Sequence, residues 1–135
     1  MKSRNVNDSE QIPVMPAIKP AATSVNESDK KRQVLMRFGM QFFPDVLESQ
    51  KSPASYYEDA MRLISYCDVY GYSHVRTVEH YFHYWGGYSP SPLMFLTAAC
   101  QHTKTANMVT GAVVPTFNHP LKLASEIAML DGLSN

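Results

Sequence analysis

The stretch YGYSHVRTVEHYF, residues 70–82, joins the end of a helix pattern to a short strand pattern. Gly71 stands where a helix commonly ends in a left-handed residue. HVRTVE, residues 74–79, is rich in β-branched side chains and predicts a strand. Glu79 and His80 then lie at the carboxyl end of that strand, which is the end where parallel α/β folds gather their chemistry.

A strand and a helix are predicted before this stretch. VLMRFGMQFF, residues 34–43, is a nearly continuous apolar run that ends at Pro44 and predicts a strand buried on both faces. Residues 52–71 predict an amphipathic helix, with Ser52 as N-cap and Pro53 at the first helical position. The apolar stripe of this helix consists of Ala60, Leu63, Ile64, Cys67 and Tyr70.

Two helices and a strand are predicted after it. SPLMFLTAACQHT (91–103) predicts the second helix, NMVTGAVV (107–114) the third strand, and HPLKLASEIAMLDGLS (119–134) the third helix. The stripe of the third helix is Leu123, Ile127 and Leu130. Strands that alternate with helical connections of this length predict an α/β fold, in which helices cover a parallel sheet.

Composition and charge exclude several classes of partner. Lys+Arg and Asp+Glu both number 12, so a zero net charge argues against nucleic acid and anionic membranes. Cys67 and Cys100 lie among apolar neighbours, as buried thiols of a reducing compartment do. No apolar run reaches the ~18 residues of a membrane span, and the N-terminus lacks a secretory pattern. We therefore expect a cytoplasmic protein.

Residues 1–33 differ in composition from the rest of the chain. They contain Pro13, Pro16 and Pro20, no aromatic residue, and no sustained period of a helix or a strand. Such a segment cannot bury enough apolar surface to offset the entropy of folding. We predict a disordered N-terminal tail at 1–33 and one folded domain at 34–135.

The run from Met36 to Asn135 resembles the N-terminal part of the luciferase-like flavin-dependent monooxygenases, the superfamily of bacterial luciferase. The similarity is carried, in order, by MRFGMQFF, YGYSHVRTVEHYF, GGYSPSPLMFLTAACQHTKT and NMVTGAVVPTFNHPLKLASEIAMLDGLS. The Glu-His strand end, the NHP that opens the third helix and the LDGLS ending are specific when they occur together.

The resemblance implies a TIM barrel, of which this chain holds the first three βα units. Because a complete barrel takes about 250 residues, we expect a truncated product or fragment that is inactive alone. The resemblance also implies reduced FMN at the carboxyl rim, with O2 and a small organic substrate. A separate flavin reductase would supply the reduced flavin, since the chain has no G-x-G-x-x-G fingerprint of its own.

The resemblance assigns the catalytic roles to the Glu-His pair. His80 matches the active-site histidine, proposed as an acid or base near the flavin. Glu79 matches the family acid, which would orient or polarise His80. Tyr81 stands where many members have a second histidine, and Arg76 where many have tryptophan.

Candidate flavin contacts lie near the carboxyl ends of the predicted first and third strands. These residues are Phe43, Thr110, Gly111 and Ala112. Gly111-Ala112 lies where the family often has a non-proline cis peptide, and a glycine there would let the flavin ring approach. The candidate substrate-pocket residues are Tyr81, Tyr84 and Trp85.

Other interpretations stay open beside the monooxygenase. His80 and His83 form H-x-x-H beside Glu79, but histidines three residues apart suit a helix face, so we predict no metal site. A noncatalytic chain could pair with a full-length homologue as a homo- or heterodimer. F420-dependent hydride transfer uses the same rim, and these residues do not separate it from oxygen insertion.

Deleting residues 1–33 should leave the folding of the remainder unchanged, because the segment lacks a core-forming pattern. Circular dichroism and thermal melting of the full and shortened chains test this expectation. A loss of helical signal beyond that of the missing residues, or a lower melting temperature, would contradict it.

Overall fold

The computed structural model of this 135-residue chain describes residues 36–82, 85 and 87–134. The predicted tail at 1–33 lies outside these described residues. Three parallel strands form one sheet in the order β1-β2-β3. The strands are β1 (Gly39–Phe42), β2 (His74–Thr77) and β3 (Asn107–Thr110).

Helices alternate with these strands. They are α1 (Pro53–Ile64), α2 (Cys67–Tyr70), α3 (Pro92–Ala99) and α4 (Pro120–Ser134), with a short 3-10 helix at Pro115–Phe117. This order confirms the predicted α/β fold with a parallel sheet. Among the described residues, no helix combines the length and the apolar character needed to cross a bilayer.

The predicted start and end of the first helix are confirmed, but that helix is interrupted; the second helix, predicted to residue 103, ends at Ala99. Ser52 caps α1 by accepting a 3.2 Å hydrogen bond from the Ser55 amide, and Gly71 ends α2 with φ of 72°. Between α1 and α2, the Ser65 hydroxyl donates to the Arg62 carbonyl at 2.6 Å. A serine hydroxyl that donates to a helical carbonyl competes with the backbone hydrogen bonds of the helix. The structure therefore has two helices where the sequence predicted one.

One face of the sheet carries the hydrophobic core. The buried apolar residues are Phe42, Ala60, Ile64, Cys67, Val75, Phe95, Leu96, Ala99, Cys100 and Leu130. The burial expected of both cysteines is confirmed, and both are free thiols. Leu63, Tyr70 and Ile127 are exposed, so the predicted stripes are wrong at these positions, because neighbouring elements cover only a narrow part of each helix.

The opposite face of the sheet is open in the described part of the chain. Gln41, Arg76 and Val109 pair across the strands and are all exposed. The prediction that the first strand is buried on both faces is therefore wrong. The helices lie against the face that carries Phe42 and Val75, and β1 consequently has one buried and one exposed side.

All three strands are shorter than predicted. β2 ends at Thr77 instead of Glu79, and β3 ends at Thr110 instead of Val114. Beyond these ends, the Glu79 carboxylate accepts a 2.6 Å hydrogen bond from the Val114 amide. A side chain thus replaces the backbone ladder between the two segments.

A carboxylate on α2 ties that helix to the loop before β3. Asp68 accepts hydrogen bonds from the hydroxyls of Thr103 and Thr105, at 2.5 and 2.7 Å, and from the Lys104 amide at 2.8 Å. These bonds favour the ionised carboxylate and lower the pKa of Asp68 from 3.8 to about 2.

Asp68→Asn should weaken the fold above the ordinary carboxyl pKa and flatten its acid dependence. The folded pKa lies below the unfolded pKa, so Asp68 stabilises the protein above about pH 4 and loses this effect as the pH falls toward about 2. Urea unfolding across that range should show a shallower decline for Asp68→Asn than for wild type. Glu58→Gln is the control, because Glu58 is an exposed carboxylate on α1. Equal slopes in wild type and Asp68→Asn would contradict the assignment.

Candidate functional site

The candidate residues follow the carboxyl ends of the three strands. Because the strands are parallel and in register from Phe42 to Thr77 to Thr110, the segments after them begin at one edge of the sheet. The Thr77 hydroxyl donates to the Phe42 carbonyl at 3.3 Å, and the Gly111 amide donates to the Thr77 carbonyl at 2.5 Å. This edge is called the rim below.

Three rings meet on the rim and form the aromatic cluster of Phe43, His80 and Trp85. The Phe43 ring lies edge-on to His80 at 5.2 Å and to Trp85 at 6.2 Å, measured between ring centroids. The backbone of Trp85 also bridges to Asp45 in the loop after β1. The structure therefore brings together one predicted catalytic residue, one predicted flavin contact and one predicted pocket residue.

Glu79 belongs to a different group of contacts. Its side chain is buried, with 8% of the residue exposed, and one carboxylate oxygen accepts from the Tyr81 hydroxyl while the other accepts from the Val114 amide. The Tyr81 ring packs edge-on against Phe117 at 5.8 Å. Glu79 and Tyr81 line a cavity of about 480 Å³ between α3 and α4.

The expected partnership of Glu79 with His80 is not what the geometry shows. Successive side chains of an extended segment point to opposite sides. The Glu79 side chain points to the same side as the buried Thr77, toward the helices, whereas the His80 ring contacts Phe43 on the rim. The Glu79 carboxylate bonds Tyr81 and the β3–α4 loop rather than the imidazole.

Gly111 lies close to the end of β2, and its bond to Ala112 is trans. No cis peptide occurs among the described residues, so the expected cis bond at this position is wrong. A Cβ on Gly111 would collide with the Thr77 carbonyl oxygen, and the Arg76 guanidinium donates to the Gly111 carbonyl at 3.2 Å. The glycine permits the close approach of two strand ends, a reason that differs from the predicted approach of a flavin ring.

The remaining described candidates lie beside Gly111. Thr110 and Ala112 are exposed beside Gly111, and Tyr84 lies outside the described residues. His83 of the H-x-x-H pattern also lies outside them. Within the described ranges, no three His, Cys, Asp or Glu side chains are grouped closely enough to hold a metal ion.

Two buried hydroxyls near the rim were not singled out from the sequence. Thr77 and Ser89 are both buried, and their hydroxyl oxygens lie 3.0 Å apart. Neither occurs in a pattern that distinguishes it from an ordinary strand or loop residue. Arg76 did carry a signal, because an arginine in a strand expected to be buried conflicts with its surroundings.

Comparison with known proteins identifies the family. The profile of a family described as luciferase-like monooxygenase matches residues 36–135. The chain belongs to this family. The match includes all three strands of the sheet and the whole rim, so the residues of the aromatic cluster lie within the family domain.

Two curated relatives match the same part of the chain. The uncharacterized protein y4wF of Sinorhizobium fredii is 33% identical over 99 residues, which are 73% of this chain. The oxygenase component of a flavin-dependent trigonelline monooxygenase from Acinetobacter baylyi is 31% identical over 100 residues, or 74% of this chain. The chain spans 28% of the length of each relative.

Two solved structures are also similar. Monooxygenase RslO1 from Streptomyces bottropensis is 52% identical with a TM-score of 0.71, and the match covers 73% of this chain and 30% of RslO1. The oxygenating constituent of 3,6-diketocamphane monooxygenase from Pseudomonas putida, solved with FMN, is 23% identical with a TM-score of 0.65. Its match covers 73% of this chain and 27% of that chain, and at this identity it shows a shared fold.

The hydrogen bond between Tyr81 and Glu79 predicts a measurable titration. The Glu79 carboxylate accepts this hydrogen bond. The bond, the desolvation of the phenol and the charge of Glu79 together raise the pKa of Tyr81 above 10.0. Glu79→Gln removes the charge that holds the phenolic proton, so the Tyr81 pKa should fall toward its ordinary value. NMR titration of the Tyr81 ring carbons measures this change.

Glu126→Gln is the matched control for this titration. The Glu126 carboxylate lines the same cavity but pairs with Lys122 at 2.9 Å. An unchanged Tyr81 titration in Glu79→Gln, or an equal fall in Glu126→Gln, would show that the described bond does not control the phenol.

Proposed function

We propose that residues 34–135 form the flavin-facing wall of a cytoplasmic flavin-dependent monooxygenase, built as the first three βα units of a TIM barrel. The family match of residues 36–135, together with the placement of His80 against Phe43 on the rim, carries this proposal. The cofactor would be FMN in its reduced form. A separate flavin reductase would deliver it, and O2 and a small organic molecule would be the substrates.

The relatives support the flavin and the monooxygenase parts of this assignment. The trigonelline enzyme is named both flavin-dependent and an oxygenase component, which implies a second component that reduces the flavin. The diketocamphane enzyme shares the fold and was solved with FMN. RslO1, at 52% identity, is itself named a monooxygenase.

The open face of the sheet supports the barrel. The strands of a TIM barrel bury one face under helices and the other in the barrel interior. Here the helices cover the face of Phe42 and Val75, and the exposed row Gln41, Arg76 and Val109 is left for further strands to enclose. Arg76 would then project from a strand near the rim, where its guanidinium already bonds the Gly111 carbonyl.

The described residues fit a flavin ring at the rim. The aromatic cluster offers ring edges and an imidazole, and the segment at Gly111 and Ala112 offers backbone without bulky side chains. A reduced flavin supplies the electrons for oxygen activation when it is bound. His80 would hold or move a proton beside the ring, while Phe43 and Trp85 would exclude water.

Glu79 has a supporting role in this proposal. Its carboxylate joins the segment after β2 to the β3–α4 loop through the Val114 amide. It would keep the backbone at Gly111 and Ala112 in place beside the flavin. Tyr81, bonded to the same carboxylate, would border the substrate pocket.

A chimera tests the assignment in a complete enzyme. Residues 36–134 of this chain would replace the matching segment of RslO1, and we expect the product to bind reduced FMN and to retain the RslO1 reaction. His80→Ala in this chimera should lower turnover by roughly 100-fold to 10,000-fold, the usual effect of losing a proton-transfer group, with little change in FMN affinity.

His102→Ala is the control, because His102 is exposed and lies in the turn after α3, at the other end of the strands. Stopped-flow oxidation of reduced FMN and product analysis measure the reaction. A folded chimera in which His80→Ala keeps activity within about threefold of the parent would remove His80 from the chemistry. Turnover with reduced F420 but not with reduced FMN would favour hydride transfer instead.

A further inference from the structure

Ser89 makes a set of hydrogen bonds that converge on the segment carrying His80. It is 3% exposed, and its carbonyl accepts a 2.9 Å hydrogen bond from the His80 amide. Its hydroxyl donates to the Val78 carbonyl at 2.5 Å and lies 3.0 Å from the Thr77 hydroxyl. One buried residue therefore contacts three of the four residues from Thr77 to His80.

The directions of these bonds follow from the number of protons. A serine hydroxyl has one proton and two lone pairs. Since Ser89 gives its proton to the Val78 carbonyl, its oxygen accepts from Thr77. The Thr77 proton is then shared between Ser89 at 3.0 Å and the Phe42 carbonyl at 3.3 Å. The result is a connected set of bonds in which Thr77 of β2 donates to β1 and to Ser89, and Ser89 donates to the segment beyond β2.

The segment that Ser89 holds is closely followed by an exposed residue, Phe82. β2 ends at Thr77, and Phe82 is fully exposed with φ of 47°, a left-handed value that is uncommon outside glycine. The exposed Phe82 therefore offers little packing support on that side of His80. The bonds to Ser89 hold this backbone at the point where the sheet ends.

Ser89 is itself fixed by its position before α3. Pro90 follows it, which restricts Ser89 to extended conformations, and Ser91 caps α3 by accepting from the Met94 amide at 3.3 Å. Phe95 of α3 packs against Phe42 of β1 at 5.3 Å between ring centroids. Ser89 thus connects the His80 backbone to the hydrophobic core.

We propose that Ser89 is a positioning residue for His80, and that its buried hydroxyl and carbonyl set the place of the imidazole beside Phe43. This role rests on the proposed function, because it concerns the histidine assigned to proton transfer there. Ser89 does not reach the reacting groups. It acts by holding the backbone from Thr77 to His80, so its loss should move the imidazole while the core stays intact.

Ser89→Ala in the 135-residue chain tests this role. NMR should show loss of most of the nuclear Overhauser signal between the His80 and Phe43 rings, with a change in the ring-current shifts of the His80 protons. Signals between the core residues Val75 and Leu96 should be retained. Ser89→Thr keeps the hydroxyl and should restore the His80 signals.

Ser73→Ala is the matched control. The Ser73 hydroxyl donates to the Phe38 carbonyl at 3.0 Å, so it bonds a neighbouring backbone carbonyl at the opposite end of β2. This variant should leave the His80 signals unchanged. A folded Ser89→Ala protein with a wild-type His80–Phe43 contact would overturn the proposal, as would an equal loss in Ser73→Ala.

If Ser89→Ala does not fold, hydrogen exchange of the wild-type protein tests the positioning role of Ser89 instead. The His80 amide should exchange at least roughly tenfold more slowly than the exposed Phe82 amide, because Ser89 holds it in a buried hydrogen bond. Similar rates for the two amides would overturn the positioning role.

Titrating the RslO1 chimera with FMN tests the flavin proposal separately, because the chimera completes the barrel. Shifts at His80 and Phe43 would support a flavin wall. A folded chimera without any FMN response, in which Ser89→Ala still releases His80, would contradict the flavin site but not the positioning role. If FMN shifts the His80 signals but Ser89→Ala leaves His80 beside Phe43, the positioning role would be contradicted and the flavin site would not.

Discussion

The pairing of β2 with both of its neighbours is the constraint on which the rest of the structure depends. Its register sets Thr77 level with Phe42 on one side and Thr110 on the other. The three following segments therefore leave the sheet at the same height. A slip of one residue would turn Thr77 toward the open face and His80 toward the helices, and the aromatic cluster could not form.

Side-chain alternation beyond β2 gives the rim two sides with different tasks. His80 faces the aromatic cluster, while Glu79 faces the helices and secures the β3–α4 loop. Buried polar groups of this kind cost about 1–3 kcal/mol each when left without a partner. Among the described residues no buried side-chain nitrogen or oxygen lacks one. The bonds that satisfy Glu79, Thr77 and Ser89 consequently also fix the shape of the rim.

Local patterns in the sequence predicted the order of the elements and both ends of the first helix, because caps such as Ser52 and Gly71 depend on a few neighbouring residues. The strand ends and buried faces depend on partners distant in sequence and were predicted less well. β2 ends early where Glu79 bonds Val114, 35 residues away. Glu79 and His80 are adjacent in sequence, but the two-residue period of an extended chain directs them apart. The role of Ser89 could not be predicted from neighbouring sequence, since it depends on the groups of Thr77, Val78 and His80 that Ser89 bonds in the folded chain.

The aromatic cluster also has a spectroscopic consequence. Trp85 is the single tryptophan of the chain, and it packs on Phe43, which in turn contacts His80. Indole emission selectively excited at long wavelength therefore arises at the rim and nowhere else in the protein. The chain carries an intrinsic fluorophore within two ring contacts of its candidate proton-transfer group, so events at that edge can be followed without any attached label.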